Sequence, residues 1–133
     1  DEASFEGQHW QFEGVVTSPK PLQKPHPPIV IGGNRAPALR RVAQLADGWH
    51  PLGISPSGVT ERLSIIRREA EIAGRADTKF LVQIRRDFDG VDAELIEAYE
   101  NAGVTDLVLS CNTGDVGIIS DTLTAFAAHH IRP

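Results

Sequence analysis

From residue 28 onward the sequence changes period four times, from a short unbroken apolar run to an apolar stripe at helical spacing. Ile29-Val30-Ile31 stops at Gly32-Gly33, and Pro37 to Ala46 then carries Leu39, Val42, Ala43 and Ala46 on one face, with Pro37 suited to a first helical turn. Trp49-His50-Pro51-Leu52 reads as a weak second strand, followed by a stripe of Val59, Leu63, Ile66, Ala70 and Ala73 that closes at Gly74. Phe80 to Ile84 is a third run, and Asp92 caps a helix with Leu95, Ile96 and Tyr99 before Gly103. Leu107 to Cys111 is the fourth, and a last helix passes through Ile119, Leu123 and Phe126 to His129-His130. The runs do not alternate apolar with polar, which is the signature of strands buried on both faces. The fold class is therefore α/β: a parallel sheet of about four βα units with helices outside it. Four such units are half of a (β/α)8 barrel, whose usual length is ~250 residues. An open four-stranded α/β sheet fits the same pattern.

Residues 1–28 form a separate irregular head, rich in proline (Pro19, Pro21, Pro25, Pro27, Pro28), which forces extended backbone. Phe5, Trp10, Phe12, Val15 and Val16 suit short strands around turns at Gly7 and Gly14. With so few apolar residues, the head is expected to lean on the body, residues 29–133. The 133 residues are 41% hydrophobic with a net charge of −5, an ordinary soluble balance. An acidic surface disfavours nucleic acid and anionic membranes alike, and no apolar run approaches the ~20 residues that cross a bilayer. The single Cys111 excludes an internal disulfide and suits a reducing cytoplasm. The chain opens Asp1-Glu2-Ala3-Ser4, shows no secretory leader and contains no methionine, so a processed product or a piece of a longer polypeptide is expected.

Ligand chemistry in parallel α/β sheets gathers where strands end and loops begin. The first exit, Gly32-Gly33-Asn34-Arg35, offers bare backbone for close approach, the positive end of the following helix and a guanidinium. This composition suits a phosphate; a plain tight turn is the alternative. The second exit sets Trp49 beside His50, an indole to stack on a planar ring and an imidazole to move a proton, or else a packing tryptophan and a loop histidine. Arg85 and Arg86 leave the third strand together, and only one of two neighbours can face the mouth. Cys111 reads as a structural thiol. His129-His130 lack the spacing of a helical metal pair, and no Cys/His cluster exists, so no metal is expected. Walker, nucleophile-elbow and Gly-x-Gly-x-x-Gly motifs are absent.

The stretch from Pro19 through Gln23-Lys24-Pro25-His26-Pro27-Pro28 into Ile29-Val30-Ile31-Gly32-Gly33-Asn34, followed by Ala46-Asp47-Gly48-Trp49-His50-Pro51, resembles the bacterial luciferase-like monooxygenase family, most of all its F420-dependent branch. Phe5 to Phe12 is similar to the segment upstream, and Ala102 to Leu109 to the final barrel strand. The resemblance implies a partial TIM barrel, the C-terminal half of the (β/α)8 fold. It also implies F420 or FMN at the barrel mouth, and an oxidoreductase acting on a small-molecule substrate. Carried over by position, Gly33, Asn34 and Arg35, beside Gly32, hold the cofactor phosphate, and Trp49 and His50 lie on the substrate side of the ring. Family members often carry a small hydroxyl residue where this chain has Arg35. The early strands that line the ring are not in this chain. Its own catalysis therefore stands against a non-catalytic half barrel, and association is expected, either with an N-terminal half or between two copies.

Overall fold

The computed structural model describes residues 2–130; residue 1 of the head and residues 131–133 of the body lie outside the described residues. In the head, β1 (Ala3–Glu6) and β2 (Gln11–Val15) form an antiparallel hairpin. Then come β3 (Val30–Gly32), α1 (Ala36–Leu45), β4 (Gly48–His50), α2 (Pro56–Ile72), β5 (Leu81–Asp87), α3 (Ala93–Ala102), β6 (Asp106–Ser110) and α4 (Val116–His130).

The second sheet runs β3-β4-β5-β6, every neighbouring pair parallel. Strand order equals chain order, and α1, α2 and α3 share one buried cluster with the sheet. A doubly wound sheet reverses its order and carries helices on both faces. A (β/α)8 barrel lays each strand beside the last and keeps every helix outside. The topology resolves the two sequence alternatives in favour of the partial barrel.

Register fixes the two faces of the sheet. Ile31 pairs with Trp49, Trp49 with Val82, and Ile84 with Leu107, so these residues point toward the helices. There they meet Leu39, Val42 and Ala43 of α1, Val59, Leu63 and Ile66 of α2, and Tyr99 of α3, with Trp49, Val42, Val59 and Ile66 fully buried. The opposite face presents Val30, Gly32, His50, Leu81, Gln83, Arg85, Asp87 and Val108, and among the described residues no helix covers it.

The helices end where the sequence supplies ends. Ser55 caps α2 by accepting from Gly58 N (3.2 Å), and Asp92 caps α3 by accepting from Leu95 N (2.8 Å). Gly103 closes α3 in the left-handed conformation, φ 96°. The C-terminus of α1 is satisfied from a distance. Arg75 donates to the carbonyls of Ala43 (2.7 Å) and Ala46 (2.8 Å), placing a cation where the helix dipole is negative.

The head buries almost nothing against the body, which it meets at His26, whose Nδ1 lies 3.8 Å from Asp47 Oδ2. Apart from half-buried Gly7, its described residues are exposed, Trp10 to 80%. The hairpin instead gathers Phe5 and Phe12 on one face, ring centroids 6.0 Å apart. Gly14 sits within β2, φ 64°, beside a register shift, and is not the turn.

Candidate functional site

All four body strands are parallel, so their C-terminal ends open at one edge of the sheet, and the loops there hold one another. After β3 the chain turns at Gly33, whose φ of 108° and 3.1 Å clearance from Ala38 Cβ admit only glycine. The Gly33 carbonyl accepts from Trp49 Nε1 at 2.8 Å. Asn34 clamps the next loop: its Nδ2 donates to Leu52 O (2.7 Å) and its Oδ1 accepts from Leu52 N (3.3 Å). Arg62 Nε reaches the Asn34 carbonyl at 3.4 Å, and Tyr99 Oη donates to Ile54 O at 2.7 Å, fixing the far end of the same loop.

The side chains predicted for the first exit divide by task. Gly32 faces the open side, with nothing nearer to its absent Cβ than His50 O at 3.5 Å. Asn34 has its side chain occupied by Leu52. Arg35 is exposed, and its guanidinium has no partner among the described residues. Arg35 also takes the N-cap position of α1 without a side-chain cap, and Pro37 follows in the first turn. The backbone N–H groups of Asn34, Arg35 and Ala36 find no acceptor among the described residues. Bare backbone at Gly32, three N–H donors without an acceptor among the described residues and one cation are groups that bind anions.

Trp49 and His50 point to opposite faces. Trp49 is fully buried beneath the Gly33 turn, so the packing alternative describes its place, and no ring can stack on it. His50 is half-buried at the end of β4, paired with Gly32 on the uncovered face. Of the arginine pair, Arg86 lies over the Tyr99 ring at 5.9 Å on the helix side, and Arg85 takes the mouth. Cys111 is half-buried. Among the described residues no group of three or more His, Cys, Asp or Glu is arranged to hold a metal, and no helix is long and apolar enough to cross a membrane.

A polar group joins the exits of β5 and β6, where the sequence placed Arg85 or Arg86 at the mouth but offered no sign that the two exits pair. Asp87 Oδ1 accepts from Ser110 Oγ (2.7 Å) and from Asn112 Nδ2 (2.9 Å), and Arg85 Nε donates to Ser110 Oγ (3.3 Å). The Ser110 hydroxyl first, then Asn112 and the Arg85 and Arg86 charges, hold the Asp87 carboxyl below its ordinary value of 3.8, against a desolvation that raises it. The partners lie 23 and 25 residues downstream, so only the parallel register Asp87–Ser110 brings them together.

Residues 1–102 match the family described as luciferase-like monooxygenase. The chain belongs to that family. Over 76 residues it is 34% identical to the FMNH(2)-dependent dimethylsulfone monooxygenase of Pseudomonas putida, a match of 57% of this luciferase-like chain and 21% of that protein. Its fold superimposes on an F420-dependent secondary alcohol dehydrogenase with a TM-score of 0.70 and 13% identity, over 93% of this chain and 54% of that one. It superimposes likewise on the F420-dependent tetrahydromethanopterin reductase of Methanopyrus kandleri, TM-score 0.67 and 14% identity, over 90% of this chain and 55% of that one. This family member thus spans about a fifth of the monooxygenase and about half of each structural neighbour.

Proposed function

We propose that this chain is the phosphate-holding part of a flavin- or deazaflavin-dependent oxidoreductase, with FMN or F420 at the mouth formed by the strand ends. The observation that carries the reading is the turn at Gly32-Gly33-Asn34-Arg35: three N–H groups and a guanidinium without partners among the described residues, and a bare glycine, at one strand end. Gly32 admits the phosphate, the N–H groups of Asn34, Arg35 and Ala36 donate to it, and Arg35 supplies charge. The Asn34 side chain serves the site by holding the loop at Leu52, and Trp49 by holding Gly33 from behind. His50, on the same side as Gly32, is the group placed to pass a proton to a small-molecule substrate. When bound, the cofactor supplies hydride or oxygen chemistry at its ring. FMN is supported by the named Pseudomonas putida relative, F420 by the two solved neighbours.

The uncovered sheet face favours a second reading for the 133 residues alone: a half barrel that binds ligand or associates without turning over substrate. Titration of the chain with FMN and with F420, followed by the visible absorption band, separates the two. A saturable band shift that Arg35→Ala weakens by about tenfold, as expected for a lost hydrogen bond to charge, supports the cofactor reading. A chain that leaves both spectra unchanged overturns it.

A further inference from the structure

Arg85, Asp87, Ser110 and Asn112 lie on the uncovered face at the ligand edge, yet the phosphate loop does not use them. We propose that they form a recognition site for a neutral ligand group presenting a hydrogen-bond donor beside an acceptor, as a primary amide or two vicinal hydroxyls do. The site rests on the reading above, that the strand ends form the ligand mouth, and it names what the substrate offers there.

Three features carry the assignment. The first is spare capacity held in place. Asp87 Oδ1 takes both internal bonds while Oδ2 has no partner among the described residues; Arg85 uses Nε and keeps both Nη groups free. An acceptor and a donor therefore stand side by side, each fixed through Ser110. The second is charge. Arg85 at the mouth and Arg86, whose charge reaches Asp87 from the Tyr99 side, are set against Asp87 and Asp89 around one cavity, so neither an anion nor a cation gains from entering. The third is the open cavity, about 500 Å³, which Leu52 and Gly53 also line. Leu52 is the residue clamped by Asn34, so the phosphate turn and this cavity share a wall. Two strand spacings, about 10 Å, separate β3 from β5, within reach of one cofactor and its substrate.

The test is a solution NMR titration of the chain with acetamide and glycerol as neutral probes, and with acetate and methylammonium as charged ones. The readouts are the Asn112 side-chain amide and the Arg85 Nε–H. The neutral probes are expected to shift both signals saturably, with the charged probes at least about tenfold weaker. Asp87→Asn, which keeps the shape and removes the charge, is expected to weaken the neutral probes by about tenfold; Arg85→Lys, which keeps a donor, retains them. Acetate binding as tightly as acetamide, or neutral probes that move neither signal, overturns the inference. FMN added to the same sample reports separately on the amides of residues 33–36. Shifts there with a silent β5–β6 end defeat this inference alone; silence at both ends defeats both readings; a response confined to β5–β6 keeps the recognition site and removes the cofactor turn.

Discussion

Trp49 fills the space between sheet and helices and, with the same side chain, holds the carbonyl of the turn that faces the ligand edge. Trp49→Phe keeps most of the apolar volume and leaves the Gly33 carbonyl without its donor. The expected cost is about 1–3 kcal/mol in urea denaturation, with weaker FMN binding because the turn is no longer held. Unchanged stability would show that the bond contributes nothing. The sequence put Trp49 and His50 together at an exit, and strand geometry alone says that neighbours face opposite sides. Which one turns inward depends on pairing with Ile31 and Val82, information that lies 18 and 33 residues away. Asp87 carries the pH prediction. Because its carboxyl is lowered in the folded chain, whatever it contributes is present above 3.8 and is lost as pH falls through the lowered value. A ¹³C titration of Asp87 is expected to show a midpoint below 3.8 that Ser110→Ala moves upward. A midpoint unmoved by that substitution would remove Ser110 as the cause.

Element ends show where reading by hydrophobic period stops short. The stripe beginning at Val59 locates α2, but the helix starts at Pro56 behind the Ser55 cap, a signal of cap chemistry and not of hydrophobicity. The apolar run ending at Ile84 locates β5, but the strand continues through Arg85-Arg86-Asp87 because β6 pairs with it as far as Ser110. Arg85 and Asp87 of this stretch belong to the cluster, so the exit read from the sequence is still paired strand and its chemistry is fixed by the ladder to β6. The closing glycine of α3 was legible. At φ 96°, with Leu63 Cδ1 3.1 Å from where a Cβ would be, Gly103→Ala is expected to cost about 1–2 kcal/mol in thermal or urea unfolding. A neutral result would show that the α2–α3 contact yields freely.

For the molecule as a whole, the helix-covered face is a finished core and the other face is not. Among the described residues β3 and β6 are free edges, and between them the open surface mixes His50, Gln83, Arg85 and Asp87 with Val108, itself 42% exposed. Free parallel edges template further pairing. Sedimentation equilibrium is expected to show a mass above one chain that rises with concentration; a monomer at every concentration would contradict association between copies. The periodicity made the α/β class legible because buried parallel strands and amphipathic helices write different periods. It did not separate a barrel from an open sheet, since both use the same βα unit; strand order does. The central claim is that the Gly32–Arg35 turn holds a phosphate, and the most direct measurement compares FMN with riboflavin, which has the same ring and no phosphate, by titration calorimetry on the chain. The account predicts that FMN binds at least about tenfold more tightly and that Arg35→Ala narrows the gap. Equal affinities, with no response to Arg35→Ala, would contradict it.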